Sequence, residues 1–362
     1  MLTFVFMAAS ASLCWGLCFP VYRWLVRKRI VDNPNERSSH DQPTARGGGI
    51  AIMATIVLGI GVFACAFPST LLLSLAAGAI AVSVVSLVDD LRSMSPSIRF
   101  GCHAAAALLP LAAWGSFSVQ LVIVPELKWI LPQWLSLALL FLWIVGYTNA
   151  FNFMDGINGI AASQAAITGM GMAAVAGLSS GHWNSAPVFL SLLVGVAALG
   201  FLPHNFPRAR MFMGDVSSAP LGYLLALLVV WLSIEFGWWL CLPLLLLHAN
   251  FVLDTALTLL RRMINGERWY AAHREHFYQR LIRSGKSHAF VTGWTMVLQL
   301  VVLALMLVYL RAGAGGRVLL GGSVLAIWLG SFRYAEVTFR SNQRRQLSTQ
   351  MAKDETLARQ GS

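Results

Sequence analysis

The chain has 362 residues, of which 57% are hydrophobic and only 11% carry a charge. Because soluble domains carry roughly 25% charged residues, this composition excludes a soluble globular protein and indicates a polytopic membrane protein. The net charge of +11 does not indicate a nucleic-acid partner, since the cytoplasmic loops of membrane proteins collect lysine and arginine. The five cysteines lie in apolar runs without metal-ligand spacing, so we predict neither disulfides nor a zinc site.

Apolar runs near twenty residues recur along the chain, separated in several places by short turns. No basic segment precedes the first run, so we interpret it as a retained helix rather than a cleaved signal peptide. If the loop after the first span is cytoplasmic and successive loops alternate between the two sides, Lys128, Arg311 and Arg317 are the only lysines and arginines on the outer side. This asymmetry predicts an outside N-terminus and a cytoplasmic C-terminus. The eleven predicted spans are 3–25, 48–67, 71–88, 102–123, 133–148, 160–179, 186–203, 219–235, 238–260, 289–310 and 316–332.

A run of three glycines follows an arginine at the end of the first predicted cytoplasmic loop. Gly47, Gly48 and Gly49 lead into the second span directly after Arg46. Exposed backbone N–H groups beside an arginine would form a phosphate site. Glycines in a membrane helix also allow close packing against a neighbour. The sequence leaves both interpretations open.

Two adjacent carboxylates, Asp89 and Asp90, end the third predicted span. Negative charge at a helix C-terminus is unfavourable, and the two groups repel each other. A cation should relieve this, either from Arg92 and Arg99 or as a bound Mg²⁺, which prefers oxygen ligands and often shares carboxylates with substrate phosphates. A surface network of Asp and Arg and a metal site are both compatible with the segment.

Amides and a carboxylate follow the fifth predicted span. If the helix continues, Asn149, Asn152 and Asp155 lie within about 120° of one face. Gly156 and Gly159 interrupt the helix there, and glycine allows the backbone to approach a ligand closely. A polar loop with a glycine C-cap is the alternative interpretation.

Asp215 stands at the start of the eighth predicted span, after Asn205 and Phe212. An aspartate followed by serines at a helix start is ordinary N-cap chemistry. Capping does not explain the upstream arginines, or a phenylalanine in a segment that should be hydrated. The segment is therefore also a candidate binding site.

The ninth predicted span contains a carboxylate, and the loop after it contains two histidines. Asp254 inside a membrane helix costs several kcal/mol unless it is paired or hydrated, so it is either a functional residue or the partner of an arginine. His273 and His276 lie three residues apart, with Arg274 between them. A zinc pair lacks an obvious third ligand, and phosphate recognition fits this basic cluster better.

The predicted topology places all of these segments at one membrane surface. Carboxylates, amides and basic residues at the lipid boundary suit Mg²⁺-dependent transfer between a soluble phosphorylated donor and a lipid phosphate. A secondary transporter is the alternative from another class, but its polar groups should lie near the bilayer midplane.

The chain contains four motif segments in order along its length: 88–90, 149–159, Asn205 with 212–218, and 273–276. Together they resemble the polyprenyl-phosphate N-acetylhexosamine-1-phosphate transferases of bacterial glycosyltransferase family 4. Segments 34–40 and 46–49 look most like the O-antigen-initiating branch, and the phospho-MurNAc-pentapeptide transferases are the nearer alternative within the family.

The resemblance implies an all-α, integral enzyme of the bacterial inner membrane with its active site on the cytoplasmic face. Residues 1–332 would form one transmembrane catalytic domain. We interpret the polar residues 333–362 as a cytoplasmic tail that is solvated or touches the lipid headgroups and carries no chemistry. The enzyme would move a sugar-1-phosphate from a UDP-sugar, of N-acetylhexosamine type, to undecaprenyl phosphate. It would release UMP and start a lipid-linked polysaccharide such as O-antigen. The cofactor would be Mg²⁺, with Mn²⁺ as an alternative, and a homodimer is compatible with the family.

Site residues are carried over from the resemblance together with the candidates found above. Asp215 would bind the metal, and Asp89 and Asp90 would bind metal or accept the lipid phosphate proton. The predicted catalytic residues are Asp89, Asp90, Asp155, Asp215, His273 and His276. The predicted substrate-binding residues are Arg46, Asn149, Asn152, Gly156, Asn205, Phe212 (against the uracil) and Arg274.

The chain departs from the family pattern at a few positions. Ser93 replaces an acidic or basic residue in the acidic motif, and Ala45 stands where the O-antigen branch often has proline. Ser217 replaces a common glycine, and Arg274 and Glu275 separate histidines that are elsewhere contiguous. None of these changes removes a carboxylate that the mechanism needs.

Overall fold

The structure, a computed structural model, describes residues 2–32, 42–92, 94–124, 127–268 and 273–360. The predicted motif segment 34–40 and the position of Ser93 lie outside the described residues. The helices are α1 (Leu2–Arg27), α2 (Ile50–Ala66), α3 (Thr70–Arg92), α4 (Pro96–Trp114), α5 (Gln133–Phe153), α6 (Ile160–Ser180), α7 (Ala186–Asn205), α8 (Asp215–Phe236), α9 (Cys241–Leu246), α10 (Ala249–Ile264), α11 (Phe277–Arg283), α12 (His288–Tyr309) and α13 (Ala314–Gln360). The short strands are β1 (Val31–Asp32), β2 (Thr44–Arg46), β3 (Gln120–Val124), β4 (Leu127–Ile130) and β5 (Met211–Phe212).

The predicted class of all-α, multi-pass membrane protein is confirmed, whereas the count of eleven spans is not. Eight of the described helices are long and apolar enough to cross a membrane, and counting the bent pair α9–α10 as one span gives nine. Helix α2 has 17 residues, at the lower limit of what a bilayer core requires. Helix α4 is not among the candidate spans, because Arg99 and His103 lower its mean hydropathy. The ninth predicted span is bent by 71° between α9 and α10.

Helices α6, α7 and α8 form the centre of the molecule. In the most apolar 18-residue stretch of α6, 89% of the residues are buried, compared with 22% in the corresponding stretch of α1. Glycines bring α6 and α7 into close contact, since a Cβ on Gly169 would lie 2.7 Å from the backbone nitrogen of Gly195. The outer helices α1, α12 and α13 keep much of their apolar surface exposed, as lipid-facing helices do.

A small sheet connects the first loop to the segment before α8. Strand β2 pairs antiparallel with β1 and parallel with β5, in a register that places Arg46 opposite Phe212. Residues far apart in sequence thus meet at the end of the molecule where α3 ends and α8 begins. The polar segments found in the sequence lie at this end.

The last helix continues beyond the predicted boundary at residue 332. Helix α13 has 47 residues and is about 70 Å long, whereas the bilayer core is about 30 Å thick. Its polar part is helical and begins by packing against α11, with the rings of Phe277 and Phe332 stacked 4.6 Å apart. The part of α13 that directly follows this contact is partly buried, whereas residues 343–351 are exposed.

Candidate active site

Arg46 joins two carboxylates from different helices. Its Nη2 atom lies 2.8 Å from Asp90 Oδ1 and 2.9 Å from Asp215 Oδ1. Desolvation lowers the pKa of Arg46, but the charges of Asp215 and Asp90 outweigh this and hold the pKa above its ordinary value. The arginine therefore stays cationic between the end of α3 and the start of α8.

Arg99 makes a second pair of contacts within the same group. Its Nη1 atom lies 2.7 Å from Asp89 Oδ2 and 3.5 Å from Asp215 Oδ2. Asp89 Oδ1 also accepts a hydrogen bond from the backbone nitrogen of Met94 at 2.5 Å. The sequence analysis predicted that Arg92 and Arg99 would neutralise the acidic pair. In the structure Arg99 does so, but the second cation is Arg46, and Arg92 is exposed. Asp89, Asp90, Asp215, Arg46 and Arg99 are called the acidic cluster below.

Asp90 also stabilises the N-terminus of α8. The backbone nitrogen of Val216 donates to Asp90 Oδ2 at 3.1 Å, and the helix dipole favours a carboxylate at this position. The N-cap position is occupied by Gly214, whose φ of +77° favours glycine. Asp215 is therefore not the N-cap, and its side chain is directed to the arginines.

The glycine run packs closely instead of offering free N–H groups to a phosphate. The backbone nitrogens of Gly47 and Gly48 donate to the carbonyl of Phe212 at 3.3 and 2.9 Å, and that of Gly49 donates to Met213 at 2.9 Å. A Cβ on Gly49 would lie 2.0 Å from the hydroxyl of Ser217. The phosphate interpretation of these N–H groups is wrong. Phe212 itself lies partly buried in β5 beside Arg46.

Asn152 connects the amide segment to the acidic cluster. Its Nδ2 lies 3.5 Å from Asp215 Oδ2, and its Oδ1 accepts from the hydroxyl of Ser218 at 2.6 Å. Asn149, one turn earlier, donates to the carbonyl of Val145 in its own helix at 2.7 Å. The structure thus brings Asn152 to the cluster, while the nucleotide contact of Asn149 stays a prediction.

Asp155 lies in the turn between α5 and α6 and is partly buried. Desolvation by the surrounding protein, with the negative charge of Asp215, raises the pKa of Asp155 to about 7. A carboxyl group with such a pKa can hold or release a proton near neutral pH.

Gly156 is required by a tyrosine rather than by a ligand. A Cβ on Gly156 would lie 2.2 Å from the hydroxyl oxygen of Tyr278, which donates to the carbonyl of Phe153 at 3.3 Å. The predicted close approach of a ligand to this glycine is therefore corrected, because the side chain of Tyr278 occupies the space. Tyr278 was missed by the sequence analysis, since nothing local marks it as the partner of this turn.

Asn205 holds two backbone segments together. It is 3% exposed, its Oδ1 accepts from the nitrogen of Gly159 at 2.7 Å, and its Nδ2 donates to the carbonyl of Met211 at 3.0 Å. Both ends of the amide are used, so its observed role is to position the 154–159 turn against β5. Its predicted role in substrate binding stays a prediction.

His276 is buried against Asp254. Its Nδ1 donates to Asp254 Oδ1 at 2.9 Å, and the backbone nitrogen of Phe277 donates to Asp254 Oδ2 at 3.0 Å. Within the described residues, Asp254 is hydrogen-bonded to His276 and forms no ion pair with an arginine. The sequence marked it as functional but did not reveal the histidine 22 residues later as its partner.

His273 is partly exposed beside His276, with their ring centroids 5.0 Å apart. Desolvation, followed by the neighbouring His276, lowers the pKa of His273 to about 4, so the ring is neutral at pH 7. The carbonyl of Arg274 accepts from Arg283 Nη1 at 3.2 Å. Within the described residues, no hydrogen bond or ion pair joins either histidine to the acidic cluster, and Tyr278 forms the link to the 154–159 turn.

Comparison with known proteins identifies the family. The sequence pattern of glycosyl transferase family 4 matches residues 72–233, which include α3 to α8 apart from the first two residues of α3 and the last three of α8. A probable undecaprenyl-phosphate N-acetylglucosaminyl 1-phosphate transferase of Bacillus subtilis (strain 168) is 32% identical over 272 residues, 74% of each chain. The chain belongs to glycosyl transferase family 4. It is a membrane enzyme of the sugar-phosphate transferase type.

Two further relatives are named for two different transferase activities. A decaprenyl-phosphate N-acetylglucosaminephosphotransferase of Mycobacterium tuberculosis (strain ATCC 25618 / H37Rv) is 30% identical over 309 residues, 77% of this chain and 75% of the relative. A phospho-N-acetylmuramoyl-pentapeptide-transferase of Synechococcus sp. (strain CC9605) is 29% identical over 228 residues, 59% of this chain and 64% of the relative.

The acidic cluster of this family member offers the ligand chemistry that a divalent cation requires. Two carboxylate oxygens, from Asp90 and Asp215, already flank one cationic nitrogen at 2.8 and 2.9 Å. In the part of the chain that is described, no three Asp, Glu, His or Cys side chains form a complete metal site. Mg²⁺ commonly takes one or two carboxylates and completes its shell with water and substrate phosphates, so the residues fit this ion.

Proposed function

We propose that this transferase moves N-acetylhexosamine-1-phosphate from a UDP-sugar to undecaprenyl phosphate and releases UMP. The observation that carries the proposal is the acidic cluster, in which three carboxylates and two arginines from four separate segments meet beside Asn152. Three carboxylates exceed two guanidinium groups by one negative charge. Such a site attracts a divalent cation and leaves two arginine side chains able to interact with phosphates.

In the proposed reaction, an oxygen of the acceptor phosphate attacks the phosphorus that carries the sugar. The bond from this phosphorus to the oxygen of UMP breaks, and UMP leaves with the negative charge. One or two of the carboxylates of Asp89, Asp90 and Asp215 would hold Mg²⁺, or Mn²⁺ in its place, with water and substrate phosphates as the further ligands. The bound cation would neutralise the two anionic substrates and the departing nucleotide.

The other predicted residues act on the substrates directly. Asp155, with its pKa near neutrality, is suited to take a proton from the acceptor phosphate. Asn152 and Phe212 would bind the nucleotide, and His273 with Arg274 would contact the sugar or its phosphate. His276 is too buried for more than an indirect role, since it is 2% exposed.

The proposed setting is the bacterial inner membrane, with the acidic cluster on the cytoplasmic face and the product entering a lipid-linked polysaccharide such as O-antigen. The excess of lysine and arginine on one side of the alternating loops supports this orientation. The GlcNAc-transferring relatives cover 74% and 77% of this chain, against 59% for the pentapeptide transferase, which favours a simple N-acetylhexosamine donor.

Donor profiling tests the proposal. The purified enzyme in nanodiscs that contain undecaprenyl phosphate is given UDP-GlcNAc, UDP-GalNAc or UDP-MurNAc-pentapeptide, with Mg²⁺ or with excess chelator. We expect Mg²⁺-dependent UMP release and a lipid-linked product with one of the first two donors. Consumption of the pentapeptide donor alone would assign the enzyme to peptidoglycan synthesis instead. Absence of UMP release from all three donors would refute the proposal.

A further inference from the structure

The segment that carries the histidines is held from two sides. On one side, Asp254 of α10 binds the side chain of His276 and the first backbone nitrogen of α11. On the other side, the part of α13 beyond its membrane-spanning region packs along α11. The second contact involves none of the predicted catalytic residues, since no chemistry was predicted for this part of α13.

Glu336 is the centre of the contact from α13. Its Oε2 accepts a short hydrogen bond from Arg280 Nη1 and lies 3.8 Å from Arg261 Nη1. Both arginines in turn bind the carbonyl oxygen of Glu275, Arg280 through Nε at 3.1 Å and Arg261 through Nη2 at 2.8 Å. Glu275 directly precedes His276, so Glu336 fixes the backbone of the histidine segment through two arginines.

Aromatic and amide contacts of α13 add to this charge network. The guanidinium groups of Arg280 and Arg283 lie over the ring of Phe339, 5.1 and 4.8 Å from its centroid. Asn342 Nδ2 donates to the carbonyl of Arg283 at 3.3 Å, and Arg283 itself binds the carbonyl of Arg274. The contacts therefore reach both residues that separate the two histidines.

The contact has a defined end along α13. Phe332 and Phe339 are 5% and 8% exposed, whereas residues 343–351 are all exposed. The contact with α11 thus begins where the last predicted span ends, and burial stops about three turns later. Lipid contact does not explain a partly buried glutamate and three arginines here, since such groups are unfavourable in a bilayer core.

We propose that residues 332–342, named the α13 clamp, position His273 and His276 for the sugar-phosphate donor, with Glu336 as the central positioning residue. The proposal rests on the proposed function, in which His273 contacts the donor and His276 acts indirectly. The clamp does not touch the acidic cluster in any of its hydrogen bonds or ion pairs among the described residues. Its loss should therefore affect the donor and leave binding of the lipid acceptor unchanged.

The first test is Glu336→Gln in the full-length enzyme in nanodiscs. We expect kcat/KM for the UDP-sugar donor to fall about tenfold, because the nearly buried Arg280 loses the nearer of its two carboxylate partners. The KM for undecaprenyl phosphate should stay within twofold. Arg340→Gln is the matched control, since Arg340 also binds Glu336 but is 68% exposed and should change the rate less than twofold.

The second test asks whether the clamp acts through the histidines. In a His273→Ala background, Glu336→Gln should lower the rate by less than twofold further, because residues that act through one another are not additive. A full additional tenfold loss would show that Glu336 acts elsewhere, and the proposal would be overturned. Where Glu336→Gln does not fold, Phe339→Leu takes its place, since it removes only the aromatic surface beneath the arginines.

The third test does not depend on turnover. Amide hydrogen exchange over residues 273–283 should be faster in Glu336→Gln than in the unmodified enzyme, while exchange in α6 to α8 stays the same. Unchanged exchange in the histidine segment would overturn the clamp. If the unmodified enzyme releases no UMP from any donor, the proposed function fails, and the exchange comparison still decides whether the clamp orders this segment.

Discussion

Replacing Asp215 with asparagine separates the chemistry of the acidic cluster from its structural role. The change keeps the shape of the side chain and removes one negative charge 2.9 Å from Arg46 and 3.5 Å from Arg99. Each arginine retains another carboxylate, Arg46 with Asp90 at 2.8 Å and Arg99 with Asp89 at 2.7 Å. Because Arg46 is 36% exposed, the loss in folding free energy should be no more than about 1 kcal/mol.

The effect on catalysis should be much larger. At an effective dielectric constant of 20, two unit charges about 4 Å apart interact by ~4 kcal/mol, and the removed charge is the one that makes the cluster net negative. We expect kcat to fall at least ~100-fold, or about 2.7 kcal/mol of transition-state stabilisation. The variant should also lose its response to added Mg²⁺.

The assay measures UMP release and lipid-linked product over a Mg²⁺ titration, with thermal unfolding in the same nanodiscs as the control for folding. Asp89→Asn and Asp90→Asn should show losses of similar size. Near-normal turnover of Asp215→Asn, or full activity of the unmodified enzyme in excess chelator, would refute the metal-centred interpretation.

Three further outcomes follow from the site and the predicted topology. In a background without native cysteines, Ser284→Cys should react with a membrane-impermeant maleimide only from the cytoplasmic side, and His182→Cys should react only from the outside. Reversed labelling would refute the predicted orientation of the chain. Phe212→Ala should raise KM for the UDP-sugar about fivefold through loss of ~1 kcal/mol of stacking, and a change confined to the lipid acceptor would contradict its assignment. If Asp155 accepts the proton, kcat/KM should fall as the pH drops below about 7, because its raised pKa keeps the carboxyl group protonated there. The residual activity of Asp155→Asn should not show this fall at low pH. A pH profile of the unmodified enzyme that is flat from pH 5.5 to 8 would exclude the role.

Local features of the chain determined its class and much of its candidate site. Hydropathy is a property of contiguous residues, so the apolar runs revealed a multi-pass helical protein. The count of eleven spans stays a prediction, since eight or nine of the described helices are long and apolar enough to span a membrane, while α2 is short and α4 contains Arg99. The acidic pair, the amide segment and Asp215 were recognisable because each is a cluster of polar residues at the end of an apolar run.

The partners of these residues depend on which helix ends meet, and only the tertiary structure decided that. Arg46 binds Asp215 across 169 positions of sequence, and the glycines beside it were ambiguous until β2 was seen to pair with β5. Gly156 owes its lack of a side chain to Tyr278, which comes from a later helix. No local pattern encodes such contacts, since they arise when distant segments pack against a common core. The sequence therefore determined which residues carry the chemistry, and the fold determined which charges neutralise them and which residues hold them in place.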